Sequence, residues 1–357
     1  MAYRKYKLGD LVEQYDEINQ NGEFTEIEDL QGINSNKYFQ ECKSNKNDID
    51  LFRYRICRHG MFSYNRATSR NGEKISIALR TGDDCIVSPS YYCFRVKDEE
   101  ILCPEYLDIW FKRPVFDRYA RFNSWGSATE FFTFDDFCAT EIMLPSLPEQ
   151  RKIVHDYQVI TDRIELLRKM NENLDAIAYT CYKDLLVSED KSMWHTGTLR
   201  ELLTVKYGKD HSALADGAFP LYGSGGLMRF VERPLYDKVS VLVPRKGSLN
   251  NIMYVDEPFW SVDTMFYTEI VNPKAAKFVY FFLRDVDFLG LNTGSAVPST
   301  SSDMIHDMQL EIPPDKDLKK FDDIVTPLFA QIKANNVECD KLKTLRALVS
   351  SIVTKGA

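Results

Sequence analysis

The window 51–80, LFRYRICRHGMFSYNRATSRNGEKISIALR, carries Arg53, Arg55, Arg58, Arg66, Arg70, Lys74 and Arg80 against Glu73 alone. Phe52, Tyr54, Phe62 and Tyr64 are interleaved with these cations. Guanidinium groups make planar, bidentate contacts with phosphates and guanine edges, and aromatic rings pack on sugars and bases. The window thus holds the residue types of a nucleic-acid contact. The same alternation also fits a strand whose arginines pair with the acidic 1–50 segment.

Catalytic chemistry leaves no comparable pattern. The five histidines (59, 155, 195, 211 and 306) show neither H-E-x-x-H nor another metal spacing, and His155 reads as a solvated or partner-facing residue. Gly223-Ser224-Gly225-Gly226 lacks the Lys-Ser/Thr of a phosphate loop, so it reads as a turn. No G-x-S-x-G nucleophile elbow occurs. The only Pro-Pro pair, Ile312-Pro313-Pro314-Asp315, fails at both ends as the Asp/Asn/Ser-Pro-Pro-aromatic tetrad of an amino-methyltransferase. Glu41-Cys42-Lys43 with Asp29 upstream imitates half of a nuclease metal site, a triplet common by chance. The expectation is a chain without catalytic residues or metal ligands of its own.

Bulk properties narrow the class. With 357 residues, 44% apolar and 27% charged, the chain is an ordinary globular protein with room for about two domains. No apolar run approaches a membrane span, and the first twenty residues lack the apolar stretch of a signal peptide. The eight cysteines never form C-x-x-C, which fits reduced thiols in a cytoplasm. A formal charge of −8 is unusual for a protein that grips nucleic acid unaided.

The elements that would position these side chains follow from periodicity. Apolar or small residues recur at Ile153, Tyr157, Ile160, Ile164, Leu167, Leu174, Ala178, Cys181 and Leu185, with Asn171 filling the one missing place. Alternating steps of four and three are the seam of a coiled coil, in which a polar residue can fix register. At 1.5 Å per residue the helix would be roughly 55–60 Å long, which reads as a spacer. A second seam runs Phe321, Val325, Leu328, Ile332, Asn335, Cys339, Leu342, Arg346, Val349, Val353, with Pro327 expected to kink the helix or delay its start. The two apolar stripes are expected to pack on one another as an antiparallel pair.

Both helices belong to a larger repeat with an offset of 168. Gly126-Ser127-Ala128 recurs as Gly294-Ser295-Ala296; Asp135 maps onto Asp303, Ile142 onto Leu310, Pro145 onto Pro313, Ile153 onto Phe321 and Ile164 onto Ile332. A period this long means duplicated domains. Strands are predicted at Lys74–Leu79, Tyr91–Val96, Val239–Val243 and Thr264–Val271, and short helices near 104–121 and 273–286. The expected fold is mixed α/β: a first domain at 1–147, a long helix at 148–187, a second domain at 188–314 and a second long helix at 315–357.

This order of parts resembles the DNA-specificity subunits of type I restriction-modification systems. The resemblance rests on Leu144-Pro-Ser-Leu-Pro-Glu-Gln-Arg-Lys-Ile-Val154, on Phe219-Pro-Leu-Tyr-Gly-Ser-Gly-Gly226, on Gly294-Ser-Ala before the strand ending in Ile312-Pro313, and on the C-terminal Leu342-x-x-Leu-Arg-x-Leu-Val349 run. It covers essentially the whole chain. It implies two target-recognition domains, each reading half of a split double-stranded DNA site, and paired helices that set the spacer. It also implies two methyltransferase (modification) subunits and restriction-translocase subunits as partners. S-adenosylmethionine would belong to the modification subunit, and ATP and Mg²⁺ to the restriction subunit, with no cofactor in this chain. The second helix entry, Pro313-Pro-Asp-Lys-Asp, departs from the pattern by lacking Glu-Gln, which implies unequal modification-subunit contacts.

Under this resemblance the DNA-facing candidates of the first domain are Arg53, Arg55, Arg58, Tyr64, Asn65, Arg66, Arg70 and Lys74. Those of the second are Lys206, Lys209, His211, Arg229, Arg245, Lys246, Ser248 and Asn250, where Arg245-Lys-Gly-Ser-Leu-Asn250 gathers basic and amide donors around a turn. Part of this set is expected to be ordinary surface charge. A self-contained metal-dependent nuclease, or an interaction scaffold that no longer reads DNA, are the competing readings.

Overall fold

The computed structural model describes residues 3–42, 49–68, 74–126, 129–187, 190–291 and 299–352. The chain divides into two compact units, one of Met1–Leu166 with Glu338–Ala357 and the other of Leu167–Val337. The division falls inside both long helices rather than at their ends.

In the first unit a four-stranded sheet has the order Val12–Gln14, Tyr91–Val96, Phe62–Asn65, Ile77–Leu79, antiparallel throughout. A second sheet has the order Phe39–Glu41, Leu30–Ile33, Cys85–Val87, Arg55–Cys57, with its central pair parallel. Arg4–Lys7 pairs antiparallel with Glu141–Leu144. The helical stretch near 104–121 is two helices, Pro104–Phe111 and Pro114–Phe122. Each opens on a proline, whose missing N–H is harmless at the first helical position. The core is aromatic: Phe62 stacks on Phe94 with centroids 5.0 Å apart, and Phe111, Phe116, Phe132 and Phe137 are buried around them.

The second unit repeats the plan. Its four-stranded sheet runs Leu203–Tyr207, Met265–Ile270, Ser240–Pro244, Met253–Val255, and its second sheet runs Gly226–Val231, Asp216–Gly223, Trp260–Ser261 with the last pair parallel. The glycine-rich segment is the two-residue turn of the hairpin that joins Asp216–Gly223 to Gly226–Val231, with Gly223 opposite Gly226. The offset of 168 holds element by element. Helix Phe134–Cys138 corresponds to Ser302–His306, strand Glu141–Leu144 to Gln309–Ile312, and the long helix beginning at Leu147 to the one beginning at Asp315. Even the caps correspond: Thr133 accepts from the Asp136 N–H, and Ser301, 168 residues on, from the Met304 N–H. Ser127-Ala128 and Gly294-Ser295-Ala296 lie outside the described residues.

The long helices run Leu147–Leu186 and Asp315–Ile352. Pro327 neither delays the start of the second, which lies well before it, nor ends it. The ring sits on an exposed face, where the carbonyl four residues earlier can be hydrated. The helices pack antiparallel within each unit. In the first, Arg346 lies over the Tyr157 ring at 5.7 Å and Arg163 pairs with Glu338 at 2.7 Å. Arg346 thus occupies a seam position by capping a ring, with its charge at the edge of the seam. In the second unit, Tyr182 meets Phe321, and Asn335 donates to Asn171 at 2.8 Å while Asn171 donates to Asn336 at 2.9 Å. Asn335 is buried and receives a further bond from Gln331, so the polar seam positions answer each other.

Candidate nucleic-acid interface

The arginines of window 51–80 divide into two groups. Arg58 is held by Glu17 at 2.6 Å, Glu23 at 2.5 Å and Asp84 at 3.0 Å. Arg55 pairs with Asp16, and Arg53 pairs with Asp50 at 3.0 Å. The acidic 1–50 segment therefore takes up these three guanidinium groups. The Arg58 bonds hold the Glu17 carboxyl below its usual range, and the His59 N–H followed by Arg58 does the same for Asp84. Tyr64 is fully buried against Phe137 and offers no ring to a ligand. Asn65 accepts from the Ala67 N–H and so closes the turn after its strand.

Arg66 and Lys74 are different. Both are exposed and, among the described residues, neither has a carboxylate partner. The Arg66 guanidinium lies over Phe131 at 5.4 Å and over Tyr92 at 5.8 Å. Arg70 lies outside the described residues.

In the second unit, Arg229 is tied to Asp216 at 2.9 Å and to the carbonyls of His211 and Leu214, which makes it a brace for the hairpin. Lys206 pairs with Glu269 at 3.4 Å. His211 is half-buried, and among the described residues its Nδ1 has no hydrogen-bond partner. Lys209, Lys246, Ser248 and Asn250 are exposed. Arg245 stacks over Tyr207 at 5.6 Å and donates to the Asp263 carbonyl at 3.2 Å. Gly247 has φ +87°, and a Cβ there would stand 2.5 Å from Ser224 Oγ, so the turn after Arg245 lies against the glycine hairpin. Asn251 bonds the Ser224 carbonyl at 2.8 Å and fixes the same contact.

Two features escaped the sequence reading. Phe122 and Trp125 are 78% and 70% exposed, an uncommon state for large aromatics, and Trp125 is joined to Phe131 by paired backbone bonds of 3.1 and 2.9 Å. Arg66, Phe131 and Trp125 therefore form one exposed basic-aromatic locus. Leu227, Met228 and Phe230 are likewise exposed on the hairpin of the second unit. The available signal was a run of aromatics beside the Gly-Ser-Ala segment, without a charge pattern to mark it.

The entry into the first long helix is built around Gln150. Its amide donates to the Ile101 and Pro145 carbonyls, both at 3.0 Å, and accepts from the Cys103 N–H at 2.9 Å. Ser146 bonds Glu149 at 2.8 Å and caps the same turn. The position 168 residues on is Leu318, buried in an apolar cluster. There Trp194 donates to Asp317 at 3.2 Å and Asn272 to Asp315 at 2.8 Å instead. Cys57, Cys85 and Cys93 form a buried cluster and all eight cysteines are free thiols. Among the described residues no group of three or more His, Cys, Asp or Glu is placed to hold a metal ion. Among them, too, no helix is long and apolar enough to cross a membrane.

Residues 3–176 match the model of the type I restriction modification DNA specificity domain. The type I restriction enzyme MjaIX specificity subunit of Methanocaldococcus jannaschii is 25% identical over 294 residues, covering 70% of this chain and 68% of that relative. Residues 3–176 thus carry the similarity to a type I restriction modification DNA specificity domain. The crystal structure of a type I restriction-modification S subunit from M. genitalium shares the fold of this chain, with a TM-score of 0.65 at 17% identity, over 99% of this chain and 96% of that one. A second solved structure, described as the structural basis of complex assembly and conformational transition of the type I R-M system, matches with a TM-score of 0.50 at 15% identity over 99% and 98% of the two chains.

Proposed function

We propose that this chain is the specificity subunit of a type I restriction-modification complex, which reads a two-part double-stranded DNA target, one half with each domain, and scaffolds the enzymes that act on it. The internal repeat carries this reading: the same strands, the same capped short helix and the same long helix occur twice at one offset. A duplicated reader joined by paired helices suits a target read in two pieces, whose separation must match the helical repeat of DNA.

The helices supply the second role. Beyond their shared seam they leave further apolar side chains exposed: Val159, Leu166, Leu345 and Leu348 in the first unit, and Met170, Ile177, Ile324 and Val337 in the second. Each unit therefore offers a surface for one modification subunit, two in all, and a restriction-translocase subunit joins that core. The different helix entries, Gln150 against Leu318, support unequal modification-subunit contacts. The chain itself is non-catalytic. S-adenosylmethionine belongs to the modification subunits, ATP and Mg²⁺ to the restriction subunit, and the assembly works on DNA in the cytoplasm. The partners contribute the basic surface that a chain of charge −8 lacks.

Reconstitution tests this reading. The chain with its modification subunits should bind a split site with strong salt dependence, and the chain alone with Mg²⁺ should cleave nothing. Cleavage by the purified chain, or complex formation without site preference, would refute it.

A further inference from the structure

Arg66 and Arg245 are 179 residues apart, so the repeat offset of 168 does not align them. The backbone does. Each directly follows the third strand of its four-stranded sheet, Phe62–Asn65 in one unit and Ser240–Pro244 in the other. The Arg66 N–H donates to the Ser90 carbonyl at 3.4 Å and the Arg245 N–H to Thr264 at 2.9 Å; Ser90 and Thr264 each precede the neighbouring strand, Tyr91–Val96 or Met265–Ile270. The Arg66 carbonyl accepts from the Phe132 N–H at 2.9 Å and the Arg245 carbonyl from Thr300 at 3.0 Å, and 132 and 300 do stand at the repeat offset. The next residues continue the match, with Ala67 bridging Phe131 and Lys246 bridging Ser299. Their place after the third strand and these backbone contacts on both sides therefore put the two arginines at one structural position.

The side chains are held alike, although Tyr92 lies on the second strand of its sheet and Tyr207 ends the first strand of the other. Each guanidinium lies over a tyrosine, Tyr92 at 5.8 Å and Tyr207 at 5.6 Å, and neither has a carboxylate partner among the described residues. Arg53, Arg55, Arg58 and Arg229, by contrast, are each neutralised. Arg245 commits Nη1 to the Asp263 carbonyl and keeps its Nε and Nη2 donors, and a guanidinium braced on a ring presents such a pair without the entropy loss of ordering a loose chain. The strongest partner for that face on a base is the O6/N7 edge of guanine.

We propose that Arg66 and Arg245 are corresponding specificity-determining residues, each reading a guanine in its own half of the target. The inference rests on the two-part reading above. The experiment uses the complete complex of this chain with its modification subunits, as wild type, Arg66→Gln and Arg245→Gln, on a library of randomised duplexes selected by methylation. Thermal melting of each variant checks that it is folded. Arg66→Gln should relax one G·C position in one half-site by about 5- to 150-fold, the range of a lost bidentate contact of about 1–3 kcal/mol. Arg245→Gln should do the same in the other half, and the double variant should relax both. If the wild type selects a two-part motif that folded single variants leave unchanged, relax in the same half, or weaken uniformly at every sequence, the assignment of the arginines is overturned while the split-site reading stands. A wild type that selects no two-part motif overturns both.

Discussion

Replacing Gln150 with Ala should detach the start of the first long helix from the domain that precedes it. Gln150 is fully buried, and its amide serves one N–H, from Cys103, and two carbonyls, of Ile101 and Pro145. Orphaning a buried backbone group costs about 1–3 kcal/mol. The Ile101 carbonyl is only partly buried and regains water, so the expected loss is about 3 kcal/mol rather than the full sum. Gln150→Leu should lose less, because burying the larger apolar side chain offsets part of the penalty. The reverse change in the other half, Leu318→Gln, should also destabilise, by about 3–5 kcal/mol, since it places an unpartnered amide in an apolar cluster. Hydrogen exchange read by mass spectrometry gives the location. In Gln150→Ala the Cys103 amide should exchange about 150-fold faster, the equivalent of 3 kcal/mol. A change under about twofold at Cys103 would refute the role given to the amide.

Three further outcomes follow from the packing. Lys277 is buried with its ammonium 2.7 Å from Asp322, so Asp322→Ala strands a buried cation and should lower stability by about 3–5 kcal/mol, while Lys277→Met with Asp322→Leu should recover most of the loss in urea unfolding. Asn171→Leu leaves the buried Asn335 amide without its acceptor and should cost about 1–3 kcal/mol; adding Asn335→Leu should restore or raise the melting temperature by making the seam apolar. The carboxyls of Glu17 and Asp84 are held below their ordinary values of 4.5 and 3.8, so their contribution is complete above those values and declines as pH falls through the lower folded ones. Melting temperature should therefore fall as pH is lowered past 4.5 and then 3.8, and Arg58→Met should flatten that acid limb.

How far the sequence could be read depended on how local the determining physics was. The coiled-coil seams were legible because a heptad states which residues are buried: Ile153, Ile160, Ile164, Leu167, Ala178, Phe321, Val325 and Cys339 are all buried. Asn171 and Asn335 were visible as breaks in the seam but not as partners. The strand Tyr91–Val96 was legible from β-rich composition, and the repeat from a constant offset. Charge pairing was not, since Arg58 meets Glu17 and Asp84 across loops whose folding no local pattern specifies. A cationic window therefore overstated the free charge of the surface. The Trp125 locus carried no periodic signature, and the equivalence of Arg66 and Arg245 was hidden because the loops between repeat landmarks differ in length. Pro327 looked like a helix boundary by propensity, but an exposed ring on a helix held by its opposite face is tolerated.

The most direct measurement is methylome sequencing of cells that carry this chain with its modification subunit, compared with cells that lack only this chain. The predicted result is one motif of two short half-sites at a fixed spacing, methylated only when the chain is present. An assembled modification complex that leaves no such motif, or a motif that persists without this chain, would contradict the account.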